Sequence, residues 1–151
     1  MPCIEVSVTV MAPPDAIYPI LKDMEKYPEF MTDLVSVKVL DRQGGETITH
    51  WVSNIDGFTI QWTERDVFDD EKMHIAYCQT KGDLKKFQGE WILTPLIRGT
   101  EIKLTVDFEF GVPMIAGLLN PILKNKVRSN SENMLKAIQT RLEENDVSSC
   151  R

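Results

Sequence analysis

The chain has only two histidines and three cysteines, and they are scattered. Cys3, Cys78 and Cys150 form no C-x-x-C pair, and His50 and His74 lie near no cysteine-rich cluster. No structural metal site is expected, and no cofactor is assigned. An odd cysteine count without a framework points to a reducing compartment. No apolar run approaches the ~18 residues that would cross a bilayer, and no basic segment followed by an apolar one opens the chain. A cytoplasmic protein is expected. Positive charge is also short: 17 Lys and Arg face 23 Asp and Glu, for a net charge of -6. Nucleic acid is therefore not an expected partner, since binding it needs a basic footprint to neutralise phosphates. A polybasic membrane patch is excluded on the same ground. Neither a Ser-His-Asp set nor a glycine-rich phosphate loop is present.

What the chain does have is alternation. Ile4, Val6, Val8 and Val10 interleave with polar residues, as in a half-buried strand. Pro13 and Pro14 stop it and can start a short helix over 14–22, with Asp15 as an alternative cap. A second short helix is expected over 23–30, bearing Tyr27 and Phe30. Further strands are read at 35–39, 47–55, 58–68, 73–80, 87–95 and 102–110, separated by turn residues such as Asn54-Ile55-Asp56-Gly57 and Lys81-Gly82-Asp83. A long helix follows over about 115–143. Leu119, Leu123, Val127, Met134, Ile138 and Leu142 fall on one face of it. Gly117 and Pro121 suggest a short lead-in and then a straight helix capped by Asn120.

This order predicts one α+β domain over 1–145, with a frayed polar tail at 146–151. Consecutive strands with short turns make a seven-stranded antiparallel sheet. One helix cannot cover so wide a sheet evenly, so the sheet must curl around it. A curl of that kind leaves a cavity unless side chains fill it.

Several local stretches then resemble a known superfamily. Met24-Glu25-Lys26-Tyr27-Pro28-Glu29-Phe30 is similar to its "D-x-E-x-Y-P-x-F". Phe87 to Pro95 with Gly99-Thr100 is similar to "W-x-F-x-P…G-T", and Val106-Asp107-Phe108-Glu109-Phe110 to "V-x-F-x-F". Taken in order, they resemble the helix-grip superfamily of START-related domains and birch-pollen-type allergens. Within it they resemble the polyketide cyclase/dehydrase and coenzyme Q-binding groups. The resemblance implies a curved sheet gripping the C-terminal helix, a hydrophobic ligand in the cavity, and Trp91 on the cavity wall. The pocket arginines of aromatase-type cyclases are not matched. Their positions fall near Val52 and Asp66, and the adjacent Arg65 points to the opposite face.

The residues themselves nominate a site. On the fourth strand, Ile60, Trp62, Glu64 and Asp66 share one face. A carboxyl among apolar walls would be held neutral and could act as a general acid or base. Glu64 and Asp66 are candidates for that role, and so is His50, because imidazole titrates near neutral pH. The register of the third and fourth strands decides whether Trp51 or His50 faces inward. A four-residue loop pairing Ser53 with Phe58 would select Trp51, and a shift of one residue would select His50. Tyr27, Trp51, Ile60, Trp62, Tyr77, Trp91, Val106, Phe108, Asn130 and Met134 are the expected ligand contacts. Met114 to Leu119 could form a portal that touches a membrane or carrier protein transiently. The expected function is binding of a lipid, quinone or polyketide-like aromatic, with polyketone cyclisation and dehydration in the same cavity as the alternative. The protein is expected to be a monomer or a homodimer.

Overall fold

Seven segments whose side chains alternate can satisfy their backbones only by pairing edge to edge, and they do so in one antiparallel sheet. A computed structural model describes the backbone of residues 3–55, 58–110 and 113–149, and their side chains except at 55, 58, 110, 113–123 and 144–149. The elements are β1 (Cys3–Val10), α1 (Pro14–Lys22), a 3-10 helix (Met24–Glu29), β2 (Leu34–Gln43), β3 (Glu46–Ile55), β4 (Phe58–Asp69), β5 (His74–Gly82), β6 (Leu84–Pro95), β7 (Thr100–Phe110) and α2 (Pro113–Ser149). The spatial order is β1-β7-β6-β5-β4-β3-β2. β1 and β2 are the two edges. Register shifts between Leu34 and Ser36, Val39 and Asp41, Thr63 and Glu64, and Leu84 and Lys86 bend the sheet where a bulge lets one strand outrun its neighbour.

The concave face carries the core. Ile4, Val6 and Val10 of β1 and Ile102, Leu104, Val106 and Phe108 of β7 are buried. Helix α2 lies against β1, β7 and β3. It contributes Val127, Leu135, Ile138 and Leu142 to the same core, and Gln139 Nε2 donates to the Thr9 carbonyl at 2.8 Å. This is the helix-grip arrangement. α1 begins at Pro14, whose missing N–H costs nothing at a first helical position. Ile17, Tyr18 and Leu21 bury its inner face.

Several boundaries differ from the sequence reading; β2, for one, runs on to Gln43 rather than ending at 39. Lys81-Gly82-Asp83 is not a loop of its own: β5 runs to Gly82, and β6 begins at Leu84 rather than Phe87. Gly82 makes this feasible, because a Cβ there would meet Trp62 Cβ at 2.5 Å. The long helix is one element from Pro113, so Asn120 does not start it. It also continues to Ser149, beyond the end expected at 143 and into the supposed frayed tail. Residues 56–57, 111–112 and 150–151 lie outside the described residues, which covers the heart of the expected turn and Cys150.

Candidate functional site

Between the sheet and α2 lies a cavity of about 60 Å³. Its wall is aromatic because cross-strand neighbours on one face of a sheet stand close together. Trp51 and Trp62 are directly paired on β3 and β4, and their rings stack at 5.7 Å with an interplanar angle of 8°. Phe87 meets Trp62 at 4.9 Å and Tyr77 at 5.6 Å. Trp91 forms another part of the wall, and Asn130, Ser131 and Met134 of α2 face it. Tyr77 can lie flat here because residue 89 has no side chain. A Cβ on Gly89 would strike the Thr105 carbonyl and the Tyr77 hydroxyl. The Tyr77 hydroxyl instead donates to the Thr105 carbonyl at 2.7 Å.

Glu64, Asn130 and Ser131 break the apolar lining, and two of them bear on its chemistry. One is Asn130, whose Oδ1 is buried with no hydrogen-bond partner. The other is Glu64, which is 3% exposed and accepts from Trp62 Nε1 at 2.7 Å. Behind it, away from the cavity, Asp66 is fully buried. Asp66 Oδ2 accepts from Thr49 Oγ1 at 2.6 Å and from Thr47 Oγ1 at 3.2 Å. Thr49 in turn accepts from Trp51 Nε1 at 2.8 Å. Burial first, and then the hydrogen bond and charge of Asp66, hold the Glu64 carboxyl well above the usual carboxylate range. Burial also raises Asp66, although hydrogen bonds from Glu64, Thr49 and Thr47 pull the other way. Asp66 Oδ1 has no other donor among the described residues. A buried carboxylate oxygen needs one, and a protonated Glu64, whose hydrogen bonding with Asp66 is one cause of its raised pKa, could provide it. Burial thus favours a proton held by the pair.

The structure selects Trp51 over His50. Ile55 pairs with Phe58 and Ser53 with Ile60, two residues away from the expected pairing. An even shift preserves parity, so Trp51 still faces inward. His50 is on the convex face, where Nδ1 lies 3.0 Å from Thr63 Oγ1 and Nε2 lies 3.4 Å from Gln61 Oε1. As a candidate acid or base for the cavity, His50 is corrected: strand parity points it away. Trp51, Ile60, Trp62, Tyr77, Trp91, Val106, Asn130 and Met134 do line the cavity, and so does Glu64. Tyr27 and Phe108 do not; both are fully buried outside the wall. Tyr27 sits on the 3-10 helix behind the tryptophans, edge-on to Trp51 at 5.7 Å and to Trp91 at 6.2 Å. Its hydroxyl is committed to the Leu21 carbonyl.

Sequence reasoning missed Leu34, Leu84, Phe87, Leu104 and Val127 as wall residues. Leu104 had a signal, being two residues before Val106 on the best two-faced strand. Leu84 had none, because it lay beyond the expected start of its strand. The side chains of Met114 to Leu119, the expected portal, lie outside the described residues.

Residues 10–135 match the family described as polyketide cyclase/dehydrase and lipid transport. The granaticin polyketide synthase bifunctional cyclase/dehydratase of Streptomyces violaceoruber is 32% identical over 108 residues, which is 69% of this chain. The match spans only 33% of that longer protein. Among solved structures, TTHA0849 from Thermus thermophilus superposes with a TM-score of 0.90 at 28% identity, covering 95% of this chain and 98% of that one. The ZhuI aromatase/cyclase from Streptomyces sp. R1128 superposes with a TM-score of 0.85 at 25% identity, covering 93% of each chain.

Proposed function

Given that the chain belongs to the polyketide cyclase/dehydrase and lipid transport family, we propose that its cavity binds a small, flat, hydrophobic molecule such as a quinone, lipid or polyketide-like aromatic. The observation that carries this reading is the wall itself: three tryptophans and a ring of aliphatic side chains, interrupted by Glu64, Asn130 and Ser131. Burying apolar ligand area there contributes roughly 25 cal/mol per Å². A ligand hydroxyl would answer the unpartnered Asn130 Oδ1. The cavity of about 60 Å³ holds only a few waters. Ligand pockets run to roughly 300–1,000 Å³, so entry requires α2 to part from the sheet. A single ligand-binding domain over 1–145 and a cytoplasmic setting belong to this reading. The setting is supported by Cys3 and Cys78, which are both free and exposed. Transient contact with a membrane or carrier protein through 114–119 also belongs to it.

Native mass spectrometry of the purified protein, with tryptophan-fluorescence titration of quinones and planar aromatics, tests the proposal. Binding should quench the tryptophans. Met134→Trp, which fills the space, should weaken binding at least about tenfold, equivalent to 1.4 kcal/mol. Equal binding by this variant would place the ligand elsewhere.

One observation favours a second reading, dehydrative cyclisation of a polyketone. Loss of water from an alcohol needs an acid at the leaving oxygen. Glu64 lies on the wall of a mostly apolar cavity, where burial holds its carboxyl pKa well above the usual carboxylate range. Under this reading Glu64→Gln abolishes turnover of a poly-β-ketone while the protein stays folded. Retained turnover would remove Glu64 from the mechanism.

A further inference from the structure

The concave face has a second opening. A groove of about 300 Å³ lies between α1 with the 3-10 helix and the far ends of β2, β3 and β4. Its rim is charged, carrying Lys22, Asp23, Glu25, Arg42 and Glu46, and Thr47 lies in its wall. Thr47 is also the residue whose hydroxyl reaches Asp66. The polar sequence from this groove to the ligand cavity is thus Thr47, Asp66, Glu64, with no apolar residue interposed.

We propose that this sequence is a proton path, through which Glu64 exchanges its proton with solvent by way of the groove and not through the apolar cavity. Each link follows from the groups present. A groove water donates to Thr47 Oγ1, while the Thr47 hydroxyl proton passes to Asp66 Oδ2. Asp66 then gives a proton to Glu64 whenever Glu64 has lost its own. Each group on the route gains one proton and gives one up, the Asp66 carboxyl turning about Cβ–Cγ between uptake and delivery, and bulk water is both source and sink. Thr47 suits the role because its oxygen has no other partner among the described residues. Thr49 does not, although it holds Asp66 more closely. Its oxygen is occupied by the Trp51 indole and its proton by Asp66, and at 1% exposure it meets no solvent. Asp66 is fully buried and no donor among the described residues is fixed on Oδ1, so its carboxyl can take a proton on Oδ2, turn about Cβ–Cγ and present that proton to Glu64. With such a path a bound apolar ligand can cover Glu64 completely and the acid can still be recharged.

The inference rests on the reading that Glu64 is protonated, and infrared spectroscopy separates the two. In wild-type protein the carbonyl stretch of a protonated carboxyl should be visible near neutral pH and absent in Glu64→Gln. No such band would overturn both ideas. With the band present, transfer to D2O should shift it rapidly in wild type, in Thr47→Ser and in Thr49→Val. Thr47→Val should slow the shift at least about tenfold, a barrier rise of 1.4 kcal/mol. Val39→Phe, which narrows the groove without removing a polar group, should also slow it and serves if Thr47→Val does not fold. Exchange at the wild-type rate in Thr47→Val or, where that variant does not fold, in Val39→Phe would overturn the path and leave the protonated Glu64 standing.

Discussion

The two faces of the β3–β4 ribbon are made by the same two strands and carry opposite chemistry. On the convex face, Arg65 pairs with Glu46 in solvent, and His50 leans on Thr63 and Gln61. On the concave face, one residue along in each case, Trp51, Trp62, Glu64 and Asp66 are all less than a tenth exposed. Outside, charges stay charged, because water and a partner screen them at little gain. Inside, two carboxyls are buried together with no cation paired to them among the described residues, and desolvation and their mutual repulsion favour a retained proton. The same residue type is thus a solvated ornament on one face and an acid on the other.

The comparison can be tested most severely at the centre of the inner face. Trp51→Ala removes the ring that stacks on Trp62 and supports Tyr27. It should cost about 3–5 kcal/mol in urea denaturation, as large-to-small core changes do. A loss below that range would mean that the inner aromatic layer is loosely packed.

A smaller effect should appear with pH. The folded-state pKa of Glu64 lies above its unfolded value, so the folded protein binds the extra proton in between. The stability this proton contributes is complete below the ordinary carboxylate range and is lost as pH rises toward the folded pKa. The slope should reach about -1.4 kcal/mol per pH unit for one proton. Glu64→Gln should flatten it and be the more stable protein at the alkaline end. A wild-type curve with no fall above the carboxylate range would mean that Glu64 is ionised when folded.

The smallest effect should come from the outer face. His50→Ala should change stability by less than about 1 kcal/mol, the worth of a single half-exposed hydrogen bond. Ligand binding should be unchanged. A large binding loss would mean that the convex face takes part.

Much of this was legible before any coordinates. Period-two alternation showed that Ile60, Trp62, Glu64 and Asp66 share a face, and helical spacing put Asn130 and Met134 on the side of α2 that meets it. The choice between Trp51 and His50 was not legible, because it turns on one residue of register. Tyr27 and Phe108 were misplaced for a related reason. A pattern tells that a side chain points inward, not whether it reaches the cavity or stops behind another ring.

The sequence by itself therefore determined the order of the elements, the helix-grip fold and the membership of each face, since these follow from local periodicity and turn chemistry. Only the tertiary structure decided which face is concave, that Gly82 and Gly89 let strands and rings approach, and that Thr47, Asp66 and Glu64 join in a line. The physical reason is that a carboxyl's proton affinity depends on what encloses it. Here enclosure is made by the β3–β4 hairpin and by helix α2, which are far apart along the chain and neighbours only once it has folded.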